Sequence, residues 1–247
     1  MKGPRWFLML SFSLVAASTA VYLAHFLIFH DAHHILIYLI GDIGFVPLEV
    51  LLVTIIIHKL LERREKRSRL EKINMVIGVF FQEIGSELLR LLSRIETPDK
   101  KELEQLLSDI REWKEERFDQ TLRTLAGIRF RIVCQPHDLE ALRVFLAERK
   151  ESLVRLLENP NLLEHENFTE LLWALTHVVE ELGARPDLEN LNENDLAHLN
   201  GDVNRAYSIL VREWVLYMEH LKRRYPYLFS FAMRTNPFDD VAAVEFS

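Results

Sequence analysis

The chain has 247 residues, 49% of them hydrophobic and 27% charged, with a formal net charge of −7 at pH 7. That acidic balance argues against nucleic acid as the main partner, because neutralising phosphates needs a concentrated basic face. A single cysteine, Cys134, excludes an internal disulfide and suits a reducing compartment.

Eight Gly, eight Pro and few alternating runs predict an all-α fold. The charge is unevenly spread. Residues 1–72 hold nine Lys+Arg and six Asp+Glu, whereas residues 73–247 hold 21 and 31, a net −10.

Trp6 to Phe29 is apolar except for His25 and is long enough to cross a bilayer as a helix, which needs about 20 residues. The rival reading is a cleaved leader, with Lys2 and Arg5 as its basic end and Ser18-Thr19-Ala20 as the cleavage site. The apolar run continues past that site through Val21, Leu23, Phe26 and Ile28, which favours a retained helix. His30-Asp31-Ala32-His33-His34 then links to a second apolar run, Ile35 to Ile57. So short a link predicts an antiparallel hairpin. Ser13, Ala17, Ala20 and Ala24 line one face of the first helix, at the depth of Gly41 and Gly44, where small residues permit close backbone approach.

The second run carries Asp42 and Glu49. Seven residues apart, they share a helix face with Tyr38, roughly 10 Å apart along the axis. Pro47 between them cannot donate to the carbonyl of Ile43 and is expected to kink the helix. An ionised carboxylate facing lipid costs a few kcal/mol, so both acids must face protein, face water or be protonated. Three readings follow: acid rings lining a cation path in an oligomer, acids locking helix assembly, or Asp42 hydrated beside His34 and Tyr38 with Glu49 bonded inside the hairpin.

His30, Asp31, His33 and His34 are candidate metal ligands by residue type, although no fixed ligand spacing accompanies them. Their alternative role is to cap the two helix ends.

Beyond Ile57 come Lys59, Arg63, Arg64, Lys66, Arg67 and Arg69, whereas the histidine link has no Lys or Arg. This collar suits anionic headgroups, and the positive-inside rule puts both termini in the cytoplasm. The expected location is the inner (plasma) membrane, multi-pass.

Leu70, Ile73, Ile77, Phe80 and Ile84 recur at 3-4-3-4, and Leu88, Leu91 and Ile95 continue one step shifted, with a stutter near Glu87. With no proline between Pro47 and Pro98, the second span is expected to run on into this seam. The seam can serve the domain's own core or self-association; the expectation favours the second, with the seam and the membrane helices as the surfaces of a homo-oligomer.

Thr97-Pro98-Asp99 opens a helix with an apolar stripe from Leu103 to Leu125, and Ile128–Val133 alternates like a strand but has no partner strand, so it reads as a helix end or a link. Pro136 to Glu158 is the next helix. Asn167 with Glu170 resembles a capping box for a helix ending at Gly183. Asp202 is expected to cap a last long helix that ends at Lys222-Arg223-Arg224, followed by the aromatic stretch Tyr225 to Phe238. His177, His198 and His220 read as ordinary surface histidines.

The sequence reading is therefore an all-α protein in three parts. Residues 1–58 form a two-helix transmembrane hairpin, 59–96 a basic collar and heptad-like helix, and 97–247 a cytoplasmic antiparallel helical bundle. No phosphate loop, GxSxG, HExxH or paired CxxC is found, so no enzyme and no cofactor are expected. The expected role is a membrane-anchored, oligomeric scaffold, and the alternative is a cation conductor using Asp42 and Glu49.

Overall fold

The computed structural model describes residues 4–239 apart from 96, 98, 99, 108, 129, 163 and 164. It is 84% helical, with no strand among the described residues. The chain divides into two compact units, Met1–Lys66 and Arg67–Ser247.

The first unit contains α1 (Pro4–Phe29) and the first part of α2 (Ala32–Phe80). Two residues join them. His30 takes a left-handed φ of 52°, which reverses the chain, while its amide still donates to the Phe26 carbonyl at 2.8 Å. Asp31 caps α2: its Oδ1 accepts from the His34 amide at 3.1 Å. The helices meet beside the link, where the His25 and His34 rings stack at 5.9 Å. A Cβ built at Gly41 or Gly44 would touch nothing within 4 Å, so the expected close approach to the small-residue line of α1 is not made. From Arg5 to Lys72 every side chain is exposed except His25 and Ile35, which are half-buried. α2 continues through Pro47 without a break.

In the second unit α2 passes into a π turn, Phe81–Gly85, and then α3 (Ser86–Ser93). The wide turn inserts the extra residue that the shifted apolar pattern requires, a few residues before the predicted stutter. Phe80 and Phe81 are consequently both buried, the first edge-on to Phe168 and the second stacked on Tyr217 at 4.8 Å. Only glycine fits at Gly85, because a Cβ there would lie 2.6 Å from the Phe81 ring and 2.7 Å from the Phe80 ring. The seam from Ile73 to Leu92 is thereby buried in this chain's own core. Of the two uses open to the seam, packing within the chain's own core is the one seen among the described residues.

α4 (Lys100–Leu107), α5 (Glu115–Gly127), α6 (Pro136–Leu157), α7 (Glu166–Gly183), α8 (Glu193–Arg224) and α9 (Pro226–Arg234) complete the unit. α8 packs against α3, α5, α7, α9 and the π turn. It is apolar around most of its circumference between Val203 and Leu221, as a central core helix must be. Trp214 is its largest buried side chain and meets Phe238 at 5.1 Å, which fixes the aromatic carboxy-terminal stretch on the core.

The predicted helix start at Pro98-Asp99 lies outside the described residues. Three other expectations change. The single helix expected up to Gly127 is interrupted by a 3-10 turn, Ile110–Glu112, and by extended Trp113. The carbonyls of Arg111 and Trp113 each accept from Lys222 Nζ at 2.6 Å. α7 is capped by His165, whose Nδ1 accepts from the Phe168 amide at 3.2 Å, rather than by Asn167. α8 starts nine residues before Asp202, capped by Asn192 Oδ1 on the Asp195 amide at 2.9 Å. Asp202 therefore lies inside a helix.

Candidate functional site

The sequence-predicted acids stand on the exposed surface of α2. Tyr38 is edge-on to His34 at 4.7 Å, and Asp42 and Glu49 follow on the same helix face. Neither carboxylate makes a hydrogen bond or ion pair with any described residue. The arrangement in which Glu49 is bonded within the hairpin is therefore not formed.

At the link, Asp31 is engaged in capping and His30 in the reversal, while His33 is exposed. The collar residues Lys59, Arg63, Arg64, Lys66, Arg67 and Arg69 are all exposed on α2, and Arg67 pairs with Glu71 at 3.3 Å.

The structure brings together a different group. α7 and α8 face each other in an antiparallel register that sets His177 opposite Asp202 and Glu181 opposite His198. Asp202 Oδ2 lies 3.4 Å from Nε2 of His177 and 3.4 Å from Nε2 of His198. Glu181 lies 4.0 Å from His177 and 3.6 Å from His198. Asp202 is buried, with its side chain 6% exposed, whereas His177 and His198 remain 44% and 53% exposed.

Cations flank the carboxylates. Arg185 Nη1 donates to Glu181 Oε2 at 2.6 Å and holds its carboxyl below the usual range. Arg205 lies 3.8 Å from Asp202 Oδ1.

Each helix supplies its pair at a spacing of four, His177 with Glu181 and His198 with Asp202, which places both members on one face. That repeated spacing was the signal available in the sequence. Reading Asp202 as a cap and the histidines one at a time concealed it.

Comparison with known proteins gives one consistent result. Residues 69–234 match the model of the C-terminal helical domain of uncharacterized protein MJ1433, and residues 2–61 match that of the N-terminal helical domain of MJ1433. The chain is 43% identical over 244 residues to uncharacterized protein MJ1433 of Methanocaldococcus jannaschii, covering 99% of this chain and 98% of the relative. No solved structure matches it. The chain belongs to the MJ1433 family.

Proposed function

We propose that this protein is a membrane-anchored, oligomeric interaction module. α1 and the apolar part of α2 form its two-helix hairpin, and the second unit is a cytoplasmic helical bundle. The observation that carries this reading is the exposure of both apolar helices. Arg5–Phe29 and the apolar start of α2 are long and apolar enough to span a bilayer, and none of the described residues of either apolar window is buried. Removing a large apolar side chain from water is worth about 1.5–3 kcal/mol, so some dozens of such residues require lipid or another protein around them. The basic collar and the uncharged-to-acidic link support termini on the cytoplasmic side.

With the seam occupied by the chain's own core, self-association falls to the membrane helices. Gly41 and Gly44 are open to a second copy, and Asp42 and Glu49 lack partners among the described residues. Acids facing a neighbouring helix would lock assembly. No catalytic activity is part of this reading.

The same unpartnered acids support a second reading, a cation path lined by Asp42 and Glu49. Full-length protein in liposomes separates the two: cation flux abolished by Asp42→Asn or Glu49→Gln supports conduction, and a well-formed oligomer without flux refutes it. A monomer in mild detergent refutes assembly. Recovery of the chain in the soluble fraction after gentle lysis refutes the membrane reading altogether.

A further inference from the structure

We propose that His177, His198 and Asp202 form a binding site for a divalent transition-metal ion of the Zn²⁺ class, with Glu181 beside it. The site lies outside the apolar helices and does not depend on the membrane reading.

The donors suit such an ion: two imidazole nitrogens and a carboxylate are favoured ligands of zinc and its neighbours. The geometry suits it as well. Two ligands each about 2.1 Å from a tetrahedral ion stand about 3.4 Å apart. Asp202 Oδ2 lies 3.4 Å from each imidazole Nε2, and all three ligand atoms fall within 4.8 Å of one another. An ion between them needs only a small inward rotation of the two exposed histidines.

Asp202 itself supplies the independent observation. Its Oδ2 is buried and accepts no hydrogen bond from the described residues, although two imidazoles flank it. A buried carboxylate oxygen without a donor is costly. An ordinary histidine–aspartate pair would turn an N–H toward that oxygen, and neither ring does. A cation placed between the three groups supplies the missing charge to all of them. The neighbouring arginines leave this oxygen free, since Arg205 approaches Oδ1 and Arg185 is bound to Glu181.

Three protein ligands leave a fourth position. Because both imidazoles are half exposed, water reaches it, giving an accessible site of the three-ligand kind rather than a closed structural one. Glu181 Oε1, 4.0 Å from His177 Nε2, is placed to accept from that water.

The test uses full-length, untagged protein in detergent, stripped with chelator and titrated with Zn²⁺ by calorimetry and with Co²⁺ by visible absorption. One ion per chain with intense tetrahedral Co²⁺ bands is expected. His177→Ala, His198→Ala and Asp202→Asn should each lose stoichiometric binding while keeping wild-type helicity by circular dichroism. His177 and His198 are exposed enough to be replaced without unfolding. The double variant His33→Ala/His34→Ala should bind as the parent does. Absence of stoichiometric binding in the parent overturns the proposal. So does binding that survives His177→Ala and His198→Ala, or that is lost only in the His33/His34 variant.

Discussion

Replacing Asn204 with alanine should destabilise the second unit by about 2–3 kcal/mol, a figure that comes from two backbone groups. The extended segment before α6 has no partner strand, yet its backbone is not left unpaired. Asn204 Oδ1 accepts from the Ile132 amide at 2.7 Å, and its Nδ2 donates to the Ile132 carbonyl at 2.8 Å. One helical turn earlier, Asn200 Oδ1 accepts from the Cys134 amide at 2.7 Å, while its Nδ2 donates to the Leu196 carbonyl at 2.9 Å. Two asparagines on α8 thus act as a substitute strand edge. Ile132 and Cys134 are buried, 2% and 0% exposed.

Truncating Asn204 orphans an amide and a carbonyl, each costing roughly 1–3 kcal/mol. The segment's position at the edge of the core favours the lower half of that range, and alanine returns roughly 0.5 kcal/mol of helix propensity. Asn204→Asp keeps the acceptor but loses the donor and sets a negative charge against the Ile132 carbonyl, so it should cost at least as much. Urea unfolding of the full chain in mild detergent, followed by tryptophan fluorescence, measures both, with exposed Asn190→Ala as the control. Midpoints for Asn204→Ala and the control that agree within about 0.5 kcal/mol would refute the argument, since that is the usual scatter of surface substitutions.

Three further outcomes are expected. Gly85→Ala forces a Cβ against two fully buried rings, and overpacking of this kind should cost about 1–3 kcal/mol, read as a lowered unfolding midpoint. Glu213 is buried, and desolvation pushes its carboxyl from 4.5 up to about 7. Its folded pKa lies above its unfolded one, so the stability it contributes is fully present below about pH 4.5 and is lost as pH rises through about 7. Glu213→Gln should therefore match the parent at the acid end and exceed it by up to roughly 3 kcal/mol at pH 8, and equal stabilities at both ends would contradict this. Cys134 is fully buried with its thiol pushed up to about 12, so a maleimide should label it only after denaturant is added.

How much could be read from residues alone depended on how local each signal was. The all-helical class follows from periodicity and from the scarcity of Gly and Pro, and the run of α2 through the collar follows from the absence of proline beyond Pro47. Helix ends were less legible. His165 and Asn192 outcompete Asn167 and Asp202 as caps because a cap is chosen by where the chain enters the core, and several polar residues nearby satisfy the same local rule. The stripe from Leu103 to Leu125 hid a break where the carbonyls of Arg111 and Trp113 are held by Lys222, more than a hundred positions away.

By itself the sequence determined the two long apolar helices, the basic collar, the shifted apolar pattern that becomes a π turn, and membership of one family over nearly the whole chain. Only the tertiary structure decided that the seam belongs to the chain's own core, that asparagines complete the extended segment, and that His177, His198 and Asp202 converge. The reason is physical: apolar spacing and charge order act within a few turns of chain. Convergence of side chains from two helices depends on their register, which is set by everything else packed around α8.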